Sequence, residues 1–166
     1  MKTLLLIRHA KSDWTFPGLA DIDRPLNERG YRDAPLVADE LIKTKHIPDL
    51  IITSPAVRAA TTAMIMARKF EYDPATIQLE KRLYETTPKE YMRILNNISN
   101  KFSIVAFFAH NPTISLFASL LSGEEYIDLP TCSAFVLRSD VADWFHVSSG
   151  TMDIIQRIFP KNLRLT

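Results

Sequence analysis

The chain has 166 residues, with twenty Lys plus Arg against nineteen Asp plus Glu and a formal net charge of +1. That length fits one domain spanning residues 1–166 and leaves too little chain for two independent cores. Apolar residues at 46% and charged residues at 23% exclude a disordered tail protein. The near-neutral balance argues against nucleic-acid and membrane-surface partners, which require a basic excess. One cysteine cannot form an internal disulfide, which suits a reducing compartment. The apolar run Leu4–Ile7 is too short for a signal-peptide core, and no stretch approaches the ~20 apolar residues that span a bilayer. A cytoplasmic enzyme or binding domain is expected.

Leu4-Leu5-Leu6-Ile7 reads as a strand buried on both faces. Residues 14–30 are loop text, with Pro17, Gly18, Pro25, Asn27 and Gly30. A helix follows over about 31–45, with Leu36, Val37, Leu41 and Ile42 on one face; Pro35 fits only near its beginning. Leu50-Ile51-Ile52 is a second buried strand, and Ser54-Pro55 reads as a cap plus first-turn proline for a helix to Phe70. A short strand is expected at Ile77–Leu79, then a helix to Ile98 opened by a capping box of Thr87 and Glu90. Ile104–Ala109 is the third buried strand, and Asn111-Pro112 repeats the cap-plus-proline device before a helix to Leu121. Strands near Ser133–Leu137 and Met152–Phe159 complete the set. Strands alternating with helices predict a three-layer α/β/α sandwich on a mostly parallel central sheet.

The three strongest strands each end in polar residues that core packing does not require: Arg8-His9, Thr53-Ser54-Pro55 leading to Arg58, and His110-Asn111-Pro112. If these strands are parallel, all three endings share the carboxyl edge of the sheet, where ligands of open α/β sheets bind. Taken singly, a strand-end Arg is ordinarily solvated and a lone His ordinarily structural. Two arginines, two histidines and two helix N-termini on one edge instead describe an anion site, with phosphate the best fit.

These residues carry a family resemblance. Arg8-His9-Ala10-Lys11-Ser12 after an apolar first strand resembles the Arg-His-Gly signature of the histidine phosphatase superfamily, and with Asp13-Trp14 it is similar to small bacterial SixA-type phosphohistidine phosphatases. The likeness continues through Asp23–Gly30, Ser54–Ala59 and His110-Asn111-Pro112; Ala10 departs from the usual glycine. The resemblance implies a phosphoglycerate-mutase-like fold and a metal-independent phosphatase with His9 as nucleophile. Arg8, Arg58, His110 and Asn111 would bind phosphate, and a protein-borne phosphohistidine or a small phosphate ester would be the partner. A neutral imidazole can attack provided its other nitrogen holds the proton, and Arg8 and Arg58 would disfavour imidazolium. Glu85 is the general-acid candidate by position, a role that a phosphohistidine substrate would relax.

Other signals weigh less. Cys132 to Arg138 is formally Cys-x5-Arg, but Ser133-Ala134-Phe135-Val136-Leu137 lacks glycine and has strand character. Extended, it would hold thiol and guanidinium roughly 20 Å apart. Asp21-Ile22-Asp23 resembles an aspartate-nucleophile pair but sits in a loop rather than after a strand. The four histidines (His9, His46, His110, His146) are scattered and the four glycines build no nucleotide fingerprint, so neither metal nor cofactor is expected. His46 reads as a helix C-terminal residue, and His146 is assigned nothing. A phosphoglycerate-mutase-like enzyme on the same core is the nearest alternative, and a non-catalytic phosphate-binding docking module the alternative from another class.

Overall fold

A computed structural model describes residues 1–164. The elements are β1 (Lys2–Arg8), α1 (Glu28–Lys43), β2 (Leu50–Thr53), α2 (Val57–Lys69), β3 (Gln78–Leu79), α3 (Pro88–Asn96), β4 (Ile104–Ala109), α4 (Thr113–Ser122), β5 (Ala134–Ser139), β6 (Asp153–Ile158) and α5 (Pro160–Leu163). Short 3-10 turns at Asp21–Asp23, Pro74–Thr76, Lys81–Leu83 and Trp144–His146 join them. The six strands form one sheet in the order β3-β2-β4-β1-β5-β6. Among the described residues no helix is long and apolar enough to cross a membrane.

The apolar run of β1 explains the layering. Side chains alternate across a strand, so Leu4 and Leu6 enter one core with Tyr91, Phe107 and Phe117, while Leu5 and Ile7 enter the other with Val37, Leu41 and Met66. Helices α3 and α4 cover the first face, α1 and α2 the second. All four β1 residues are fully buried. Each such side chain contributes about 1.5–3 kcal/mol. Tyr91 meets Phe117 edge-on at 5.5 Å, which fixes α3 against α4.

The sheet is mixed rather than mostly parallel throughout. β1, β2, β3 and β4 pair in parallel, but β5 runs antiparallel to both β1 and β6. The cause lies in the connections. After α4 the chain returns to the carboxyl edge, where the Cys132 N–H donates to the carbonyls of Arg8 and His9. β5 therefore starts where β1 ends, and no helix crosses over between β5 and β6.

Several expected helix starts also differ. Asn27 caps α1, its side chain accepting from the Gly30 N–H at 3.0 Å, so α1 begins before 31 and Pro35 falls at its eighth position. Neither Ser54 nor Asn111 caps a helix: α2 and α4 follow Ala56 and Pro112 with no side-chain cap. Thr87 precedes α3 but makes no capping bond, and Glu90 pairs with Arg93 instead of completing a box. Both Ser54 and Asn111 are drawn into side-chain bonds at the sheet edge, described below.

Gly30 has a specific reason to be glycine. A Cβ there would lie 2.4 Å from the Lys11 carbonyl oxygen, which already accepts from the Asn27 N–H at 2.9 Å. In an unhindered helix Gly→Ala is stabilising. Here Gly30→Ala is expected to cost about 1–3 kcal/mol through the forced backbone shift, read as a lower urea midpoint; an unchanged or higher midpoint would contradict the close packing.

Candidate active site

The register of the sheet brings the three strand endings together. Arg8 pairs with Ala109 across β1 and β4, the His9 N–H donates to the Ala109 carbonyl at 3.1 Å, and the Ser54 N–H donates to the Phe108 carbonyl at 2.9 Å. His9, Arg58 and His110 are all buried, and the His9 and His110 ring centroids are 5.2 Å apart. Arg58 lies in the first turn of α2. The clustering read from the sequence is therefore present.

His9 Nδ1 lies 2.7 Å from the Ala10 carbonyl oxygen. A carbonyl only accepts, so Nδ1 carries the hydrogen and the lone pair resides on Nε2. Burial pushes His9 down to about 3, with His110, Arg58 and Arg8 adding to the effect and the Ala10 carbonyl opposing it. The arginines were expected to keep this ring neutral; they act in that direction, but burial is the larger cause. The loop is fastened to α2 through Thr62, whose hydroxyl accepts from the Ala10 N–H at 3.0 Å and donates to the Arg58 carbonyl at 2.7 Å.

His110 Nε2 lies 2.7 Å from Ser54 Oγ, which also accepts from the Ala56 N–H. Burial first, and Arg58 next, push His110 down to about 4. It is thus neutral near pH 7. Arg8 Nη1 donates to the Leu129 carbonyl at 3.0 Å. Arg58 Nη1 and Nη2 donate to the carbonyl and carboxylate of Asp21 at 2.7 and 3.0 Å. Arg8 Nε, Arg58 Nε and His110 Nδ1 are buried without a hydrogen-bond partner. Such groups cost about 1–3 kcal/mol each when unsatisfied.

Asn111 and Glu85 sit differently from the other candidates. Both line a cavity of about 300 Å³ together with Asp21, Arg58, Tyr84 and His110. The Asn111 amide, however, donates to Asp128 and to the Leu129 carbonyl, and its oxygen accepts from Ser115. It fixes the 128–129 loop and has no free donor to offer. Glu85 is exposed, with φ of 49°. A larger cavity of about 650 Å³, between Arg29, Thr131, Lys161 and Arg164, contains no histidine.

Two contributors were missed. Asp21 accepts from Arg58, from Arg24 at 3.1 Å and from the Tyr84 hydroxyl at 2.7 Å. The Tyr84 bond, then Arg58 and Arg24, hold this carboxyl well below the usual range. Tyr84 also meets the His110 ring edge-on at 5.4 Å. Nothing in the spacing of Asp21, Arg58 and Tyr84 announces a contact that depends on the 13–23 loop folding back. The Cys-x5-Arg reading is not supported: Cys132 is buried, its thiol is pushed up by burial, and Arg138 lies along β5. Among the described residues no group of three or more His, Cys, Asp or Glu is placed to hold a metal ion.

The depressed histidines make stability pH-dependent. Between about pH 6.5, where an unfolded imidazole titrates, and the folded values of about 3 and 4, the unfolded chain binds more protons, so stability falls as pH falls. Asp21 acts only lower, below its unfolded value near 3.8. Denaturation between pH 7 and 4.5 is expected to show this loss, and His110→Asn to flatten it; an equal slope in the variant would refute the assignment.

The family model for the histidine phosphatase superfamily (branch 1) matches residues 4–103. An uncharacterized chloroplastic protein of Arabidopsis thaliana is 32% identical over 151 residues, 86% of this chain and 69% of its own length. Among solved structures, SixA from Agrobacterium tumefaciens superposes with a TM-score of 0.81 at 27% identity, covering 96% of this chain and 98% of that one. A protein histidine phosphatase SixA complexed with tungstate gives 0.82 at 19% identity, covering 97% and 99%, a likeness of fold. With the family model matching well over half its length, the chain belongs to the histidine phosphatase superfamily, branch 1, and is similar in structure to SixA-type members.

Proposed function

We propose that the protein is a phosphohistidine phosphatase, hydrolysing protein-borne phosphohistidine through a phosphorylated His9. The carrying observation is the Nδ1–H bond from His9 to the Ala10 carbonyl, which puts a lone pair on Nε2 beside two arginines and a second histidine. In the first step Nε2 bonds to phosphorus as the substrate P–N bond breaks. The leaving imidazole takes a solvent proton on its second nitrogen and departs neutral. Phospho-His9 is then an imidazolium with its charge facing a carbonyl, and water attacks phosphorus to release phosphate and restore the lone pair.

Arg8 and Arg58 neutralise the phosphoryl oxygens, each charge pair being worth about 4 kcal/mol at 4 Å near a protein surface before desolvation. The buried, unpartnered Nε–H groups of both arginines support this role. Asp21, held ionised by three donors, cannot supply a proton to an alkoxide. That favours a substrate whose leaving group finds its proton in water.

A small phosphate ester is the second reading, favoured by Glu85 on the wall of the same cavity. The decisive assay offers the purified chain a phosphohistidine peptide, p-nitrophenyl phosphate and phosphoserine. Phosphohistidine is expected to be preferred, and Glu85→Gln to leave its hydrolysis nearly unchanged. A wide preference for esters, abolished by Glu85→Gln, would establish the second reading instead.

Nucleophile identity is tested separately. His9→Ala is expected to lower phosphate release by about 10⁴-fold or more, whereas Cys132→Ser retains it, and mass spectrometry of a quenched reaction should place the phosphoryl group on His9. Full activity in His9→Ala would end the proposal.

A further inference from the structure

Among the described residues, Asp21 is the carboxylate bonded directly to a phosphate-site arginine, and its contacts specify how. A guanidinium can grip an anion along the edge made by Nη1 and Nη2 or along the edge made by Nε and Nη2. Asp21 occupies the first edge, with its carbonyl on Nη1 and its carboxylate on Nη2. Nε, without a partner and buried, belongs to the second. The carboxylate is itself anchored from outside by Arg24 and Tyr84. Arg24 is in turn held by Ser12 at 2.5 Å and stacked against Trp14 at 3.6 Å.

Resting on the reading that Arg58 binds the phosphoryl group, we infer that Asp21 sets the oxyanion affinity of the site and so prevents retention of inorganic phosphate. Its charge offsets part of that of Arg58 from one edge while the other edge grips the ligand. Carboxylate and phosphoryl oxygens on one guanidinium repel each other, so bound phosphate is destabilised relative to a site lacking the carboxylate. Asp21 is a positioning residue: it touches Arg58, not the reacting atoms. A purely structural role predicts the opposite sign, because a misplaced Arg58 would bind phosphate more weakly.

That opposition of sign is the test. Inorganic phosphate is titrated calorimetrically into the wild type, Asp21→Asn, Asp21→Ser, Arg58→Ala and the Asp21→Asn/Arg58→Ala double variant. Both Asp21 variants keep the backbone carbonyl that holds Nη1. They are expected to bind phosphate about tenfold more tightly, within the range for directly interacting side chains. The gain should vanish in the Arg58→Ala background, and with a phosphohistidine peptide KM should fall while kcat does not rise. Equal or weaker phosphate binding in both Asp21 variants, with Arg58→Ala still weakening it, would overturn this inference alone. Wild-type affinity unaltered by Arg58→Ala would overturn the reading of the site as well.

Discussion

An imidazole presents a lone pair only while its other nitrogen keeps its hydrogen, and at this sheet edge one peptide carbonyl enforces that condition. The Ala10 oxygen fixes the hydrogen on His9 Nδ1, and burial removes the water that would stabilise a second proton. Each alone is insufficient. Burial without the carbonyl would leave the tautomer free, and the carbonyl without burial would favour the charged ring. The rest of the fold holds that pair of constraints in register with the arginines. Parallel pairing of β1 with β4, and of β4 with β2, aligns the three strand ends to within a residue.

Charge around the site is balanced rather than simply accumulated. Arg58 faces Asp21, and Arg8 is coupled to Asp128. The fold therefore does not hold two bare buried cations against each other, which would depress stability at any pH. Their hydrogen bonds hold both arginines in one orientation, so little side-chain ordering would remain to oppose the binding proposed above. The four basic groups and their two carboxylates form one electrostatic unit assembled from segments spread over most of the chain.

What could be read without coordinates was whatever the local sequence determines. Leu4–Ile7, Leu50–Ile52 and Ile104–Ala109 are legible because a strand buried on both faces must be apolar without interruption, and the polar residues ending them stand out for the same reason. The direction of β5 was illegible, since apolar content is blind to orientation and the return of residues 123–133 to the carboxyl edge is a long-range event. The capping expectations at Ser54 and Asn111 failed where local chemistry met tertiary demand: Ser54 bonds His110, and Asn111 bonds the 128–129 loop. The Arg8, His9, Arg58 and His110 cluster needed only parallel strands to be foreseen. Asp21 needed a loop to fold back across 37 positions to Arg58, for which neither periodicity nor spacing leaves a trace.

The Thr62 hydroxyl ties the turn after β1 to helix α2. It accepts from the N–H of Ala10, the residue whose carbonyl holds the imidazole, and donates to the carbonyl of Arg58. Imidazole and guanidinium thereby share a single mechanical mount. A displacement of Thr62 would therefore pull on Ala10 and on Arg58 alike, so the spacing between ring and guanidinium depends on one side chain.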